Sequence, residues 1–165
     1  HAKYEDMDMI LEDFDNDGDN DLYIVSGGNE FEPNSPILKD RLYINNGKGS
    51  FNFSNSSLPD NFSSGMRVTS SDYDKDGDLD CYILNNSIRS IGGYDLIEDQ
   101  REIADPEGQG NKLLENRDGK FVDVTQSAGI YSSKIGFGLG ITLSDYNNDG
   151  WTDIFISNDF FEKDN

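Results

Sequence analysis

One nine-residue pattern occurs three times in this chain of 165 residues and constrains its fold more than any other feature. Asp13-Phe14-Asp15-Asn16-Asp17-Gly18-Asp19-Asn20-Asp21 returns as Asp72-Tyr73-Asp74-Lys75-Asp76-Gly77-Asp78-Leu79-Asp80, and again as Asp145-Tyr146-Asn147-Asn148-Asp149-Gly150-Trp151-Thr152-Asp153. The shared unit is D-x-[DN]-x-D-G-x-x-D, and such self-similarity at long intervals marks a repeat architecture. The flanks repeat as well. Six, four and two residues before the first Asp stand Met7, Met9 and Leu11, then Met66, Val68 and Ser70, then Leu139, Ile141 and Leu143. That alternation predicts a half-buried strand entering each loop. Leu22-Tyr23-Ile24-Val25, Cys81-Tyr82-Ile83-Leu84 and Ile154-Phe155-Ile156 leave the loops as short runs of β-forming residues, so each acidic loop is expected to join two strands of a hairpin.

A second hairpin follows the first two loops. Its strands flank Asn46-Gly47 in the stretch from Arg41 to Phe51, and Asp118-Gly119 in the stretch from Lys112 to Val124. Asn-Gly and Asp-Gly are strong hairpin turns because their residues tolerate positive φ. Each full repeat is therefore predicted to be four antiparallel strands. Units of this size are propeller blades, which close only with several copies around an axis.

The loops start 59 and then 73 residues apart, and most of the difference falls before the third strand of the second repeat. Residues 86–111 are thus expected to be an inserted loop, with a short helix from Tyr94 to Ile103. The expected fold is all-β: a propeller fragment of about two and a half four-stranded antiparallel blades. The blades would cover residues 5–60, 61–127 and, incompletely, 128–165, within a longer native polypeptide.

The loops carry the chemistry. Calcium takes six to eight oxygen ligands, and a short loop with carboxylates at alternate positions and Gly at the sharp turn can supply them. The side-chain ligands would be Asp13, Asp15, Asp17 and Asp21 in the first loop, and Asp72, Asp74, Asp76 and Asp80 in the second. In the third they would be Asp145, Asn147, Asp149 and Asp153. Asp19, Asp78 and Trp151, at position 7, would offer backbone carbonyls. Two carboxylates about 5 Å apart repel by roughly 3 kcal/mol at an effective dielectric near 20, so the first two loops call for a cation. Up to three Ca²⁺ ions are expected, the third held most weakly because Asn147 replaces a carboxylate. An EF-hand would require a Glu at position 12 and a following helix. Ile24, Ile83 and Ile156 stand there instead, within predicted strands.

Charge and rare residues exclude other classes. A formal charge of −20 argues against nucleic acid, whose backbone needs a Lys/Arg surface, and the three loops alone hold 13 of the 33 carboxylates. Cys81 is the only cysteine and reads as a small buried residue, while His1 is the only histidine. A disulfide, a Cys-based zinc site and a Ser-His-Asp triad within the chain are thereby excluded. No apolar run is long enough to span a membrane as a helix.

With these residues in view, the chain resembles the FG-GAP/VCBS repeat class of calcium-binding propellers, seen also in integrin α-subunit heads. More narrowly it resembles the cartilage-acidic-protein-like family that carries ASPIC/UnbV regions, common in secreted or surface proteins of Bacteroidota. The stretches that carry the likeness are Val25-Ser26-Gly27-Gly28-Asn29-Glu30-Phe31, Asp40-Arg41-Leu42-Tyr43-Ile44-Asn45-Asn46-Gly47 and Phe121-Val122-Asp123-Val124-Thr125. Gly136-Phe137-Gly138-Leu139-Gly140 and Ser157-Asn158-Asp159-Phe160 add to it. The resemblance implies an extracellular or cell-surface propeller, associated with a bacterial outer membrane, that serves adhesion or binds a protein or carbohydrate ligand without catalysis. The alternative is an accessory region of a secreted polysaccharide-active or other hydrolytic enzyme, in which Glu98 with Asp99, or Glu102 with Asp105, would be the acid/base candidates.

Overall fold

The computed structural model describes residues 3–32, 34–88, 109–133 and 135–159. Ten strands and one short 3-10 helix, Pro36–Leu38, make up the regular structure of the described residues. The first sheet has the order β1-β2-β3-β4, from Asp6–Glu12, Asp21–Ser26, Arg41–Asn45 and Phe51–Ser54. The second repeats it as β5-β6-β7-β8, from Ser64–Ser71, Asp80–Asn86, Lys112–Asn116 and Phe121–Asp123. A final hairpin pairs β9 (Gly138–Ser144) with β10 (Asp153–Asn158). All pairings are antiparallel. The chain is thus all-β, in the succession of four-stranded sheets expected of a propeller fragment. Of the insertion, residues 89–108 lie outside the described residues. With them go the expected helix from Tyr94 to Ile103 and the carboxylates of Glu98, Asp99, Glu102 and Asp105.

The register shows why the repeat unit has nine residues. Glu12 pairs with Asp21, Ser71 with Asp80 and Ser144 with Asp153, so each hairpin closes its acidic loop on the same two positions. Each first strand also carries an irregularity at its far end: between Asp6 and Asp8, between Gly65 and Arg67, and opposite Ser157 and Asn158. A bulge of this kind increases local twist.

Between the first two sheets lies a core of Phe14, Tyr23, Val25 and Leu42 from one side and Val68, Cys81, Ile83, Leu114 and Phe121 from the other. Phe14, Tyr23 and Phe121 meet edge-on, with centroids 5.4 to 6.3 Å apart. The sheets approach so closely that a Cβ on Gly65 would run into the side chain of Val25. A second core holds Tyr82, Leu84, Leu113 and Val124 against Ile141, Ile154 and Ile156 of the last hairpin.

The sequence alternation needs one correction. Val68 is 5 % exposed, as expected of an inward position, but its counterpart Met9 is 64 % exposed and Leu11 is 52 % exposed. The first strand's apolar face points away from the second sheet, and no described element covers it. Periodicity identifies the face but not whether a neighbour lies against it.

Candidate metal centres

The three loops are built on one plan of backbone capping. The carboxylate at position 1 accepts the N–H of the position-6 glycine: Asp13 from Gly18, Asp72 from Gly77 and Asp145 from Gly150, at 2.9 to 3.1 Å. The position-5 carboxylate accepts the position-7 N–H, in Asp17 from Asp19, Asp76 from Asp78 and Asp149 from Trp151. The position-9 carboxylate accepts the position-2 N–H, in Asp21 from Phe14, Asp80 from Tyr73 and Asp153 from Tyr146. Position 6 sits at φ of +94°, +100° and +85°, where a Cβ is penalised. Position 4 is also left-handed, at Asn16, Lys75 and Asn148. Sequence and loop conformation therefore agree residue by residue.

The position-9 aspartates do more than close the loops. Asp21 and Asp80 are fully buried, and the second oxygen of each accepts a backbone N–H of the third strand, from Asn45 and Asn116 at 2.8 Å. One carboxylate thus ties the loop to two strands. Burial raises the pKa of Asp21, against the pull of these two hydrogen bonds. Asp80 is pushed up to about 6 by the same cause.

Two groups of oxygens converge. Asp13, Asp15 and Asp21 each offer one carboxylate oxygen within 4.8 Å of the others, and so do Asp72, Asp74 and Asp80. Asp15 is held above the usual carboxylate range by burial and then by the charge of Asp17. Asp74 is likewise raised, by burial first and then by its neighbours' charges, against a hydrogen bond from the Asp76 N–H. Asp72 supplies a sharper sign: its Oδ1 is buried and has no hydrogen-bond partner. A buried anionic oxygen without a donor, amid other carboxylates, is costly unless a cation lies against it. The donor set is all oxygen, which suits a hard divalent cation rather than a thiolate- or imidazole-seeking metal. Asp17 and Asp76 stand outside these converging groups, each with one oxygen committed to its position-7 N–H.

The third loop differs in a way its sequence only partly conveyed. Asn147 replaces a carboxylate, and its amide also donates to Asp149 Oδ2 at 2.9 Å. Asp149 is held below its ordinary pKa by the Trp151 N–H and by this amide. Among the described residues, Asp145, Asp149 and Asp153 form no converging group of the kind seen in the first two loops.

Contacts between successive loops were not visible in the sequence. Asn16, at position 4 of the first loop, donates to Asp78, at position 7 of the second, at 2.6 Å. Lys75, at position 4 of the second, lies 3.7 Å from the ring centroid of Trp151, at position 7 of the third. Asp78 is further engaged by the Asp118 N–H, and a Cβ on Gly47 would meet the carboxylate of Asp19. Asn116 crosses from the second sheet to the first, its Nδ2 donating to the Phe14 carbonyl at 2.8 Å. The only available signal was the shared Asn before each second turn, at Asn45 and Asn116.

Among curated proteins no match to this chain is found. A family model described as FG-GAP-like repeat matches residues 13–83, a span that opens at the first acidic loop, contains the second and ends inside β6.

Proposed function

We propose that this chain is a calcium-binding repeat scaffold of an extracellular or cell-surface protein, which presents its connecting loops to a protein or glycan partner and carries out no reaction itself. The observation that carries the reading is the pair of matching carboxylate groups, Asp13/Asp15/Asp21 and Asp72/Asp74/Asp80, at equivalent places in two repeats. The unpartnered buried oxygen of Asp72 supports it. These residues would hold the ion, and the position-9 aspartates would pass its constraint directly to the strands. The ion's contribution is electrostatic: it offsets the mutual repulsion of the carboxylates and fixes the loop. Loops of this kind suit compartments where calcium is abundant, because extracellular modules bind at about 10⁻⁴–10⁻³ M. That argument, with the repeat-family match, favours the outside of the cell and, on the narrower resemblance, the surface of a bacterium with an outer membrane. No helix among the described residues is long and apolar enough to cross a membrane.

Isothermal titration with calcium and with magnesium tests the reading. Two calcium sites of similar affinity and a weaker third are expected, with magnesium at least tenfold weaker. Asp15→Asn and Asp74→Asn should each weaken one site. Equal heats for both ions, or calcium binding unaffected by the two substitutions, would defeat it.

A further inference from the structure

Asn45 and Asn116 each close the third strand of their sheet, and three hydrogen bonds repeat around them. The backbone N–H donates to the position-9 aspartate, Asp21 or Asp80. The side-chain amide donates to the position-8 carbonyl, of Asn20 or Leu79, and the side-chain oxygen accepts the N–H of the turn glycine, Gly47 or Gly119. Each Asn therefore braces the acidic loop of its own sheet. Asn116 makes one bond more: its Nδ2 also donates to the carbonyl of Phe14, position 2 of the preceding loop, at 2.8 Å. It is fully buried, so this bond is shielded from water. One side chain thus ties the first candidate metal loop to the second.

A second bridge lies at the surface. Asn16 stands between the candidate ligands Asp15 and Asp17, and its amide holds one oxygen of the Asp78 carboxylate. The other oxygen accepts the Asp118 N–H. Gly119, next in that turn, faces Asp15 so closely that a Cβ on it would lie 3.4 Å from the Asp15 Cβ. Contacts therefore run from the first loop to the second, into the β7–β8 turn and back to the first loop. Position 4 also meets position 7 of the next loop at the second junction, where Lys75 lies over Trp151, so this alignment of successive loops belongs to the repeat.

We infer that the first two metal centres are coupled through Asn116 and Asn16, so that calcium held in either loop raises the affinity of the other. The inference rests on the calcium reading above and adds to it a positioning role for two residues that are not ligands. An ion in the first loop fixes Asp13, Asp15 and Asp21, and with them Phe14 and Asn16. Those two hold Asn116 and Asp78 where the second loop needs them, which lowers the ordering cost of the second site. The coupling is reciprocal, because it belongs to the pair of sites rather than to either ion. Electrostatics acts in the opposite sense: a dication in one acidic loop weakens that loop's pull on the second ion. That part is long-ranged and screened by salt, whereas hydrogen bonds between packed loops persist.

The position-6 glycines donate to Asp13 and Asp72, so the amide resonances of Gly18 and Gly77 report on the two loops separately. The test is a calcium titration of the isotope-labelled chain in about 0.5 M potassium chloride, where the screening length is about 4 Å. Asp15→Asn weakens the first site directly. The expected further result is that it raises the Gly77 midpoint at least threefold although every donor of the second loop is intact, and that Asp74→Asn does the same to Gly18. With Asn116→Ala in place, the effect of Asp15→Asn on Gly77 should fall below twofold. Asn16→Gly, at an exposed position whose left-handed backbone suits glycine, should at least halve the effect, and it carries the test if the buried Ala variant does not fold. A Gly77 midpoint that ignores Asp15→Asn, or that falls, would overturn the coupling while leaving calcium binding in place. Coupling undiminished by both Asn variants would overturn the role of these two residues. If neither glycine responds to about 10 mM calcium, the calcium reading itself fails and the inference with it.

Discussion

Asp40 is fully buried, and its pKa is pushed up to about 7 by that burial, despite the hydrogen bonds from the Ser26 N–H and the Tyr23 hydroxyl and the nearby charge of Arg41. The second repeat meets the same need with a neutral group. There the Asn85 N–H donates to Asn111 Oδ1 at 2.9 Å, and Asn111 also hydrogen-bonds Tyr82. Asp40→Asn therefore installs in the first repeat the arrangement already present in the second. Because the folded pKa lies above the ordinary 3.8, the folded state binds the proton more tightly. This group's contribution to stability is fully present below pH 3.8 and is lost as pH rises through about 7. At about 1.4 kcal/mol per pH unit, the gap between the two values corresponds to about 4 kcal/mol. Urea denaturation of both proteins from pH 4 to pH 8, at constant salt and metal, isolates the effect in their difference. The variant should match the wild type near pH 4 and exceed it progressively up to pH 8, by as much as about 4 kcal/mol. A variant less stable than wild type at pH 8 would mean that the ionised Asp40 carboxylate is stabilised by its surroundings, with Arg41 outweighing the cost of burial, and the reasoning would be wrong.

Three further outcomes follow from the geometry. Asn147→Asp removes the amide that donates to Asp149 and restores the position-3 carboxylate, so calorimetry should show calcium affinity at the third loop rising by roughly tenfold. Phe121→Ala removes the ring that packs edge-on against both Phe14 and Tyr23 and should cost about 3–5 kcal/mol in chemical denaturation. Phe51→Ala, its counterpart on the open face of the first sheet at 45 % exposure, should cost about 1 kcal/mol or less in the same assay.

Much of this molecule is local, and local features are what a sequence displays. The nine-residue unit dictates its own loop, because Gly18, Gly77 and Gly150 must turn and the flanking aspartates must cap the N–H groups that the turn exposes. The Asp118-Gly119 hairpin is legible for the same reason, with both residues at positive φ. Features that depend on a distant neighbour were not legible. Val68 and Met9 occupy equivalent positions, yet only Val68 has a sheet against it. Asn116 reaches Phe14 across 102 residues, a pairing that no spacing rule identifies. Asp40 looks like one more acidic residue until its place beneath Tyr23 shows it to be buried. The sequence marked Asn147 as a missing charge, but not as a donor to its own loop partner.

The most direct test of the central claim is thermal unfolding in calcium, in magnesium and in excess chelator. One ion held only by the folded state, at about a hundred times its Kd, adds about 2.7 kcal/mol, which for a chain of this size raises Tm by about 5–10 °C. The account predicts at least that rise in calcium, its full reversal by chelator, and little change in magnesium. A melting curve that is the same in saturating calcium and in chelator would contradict it.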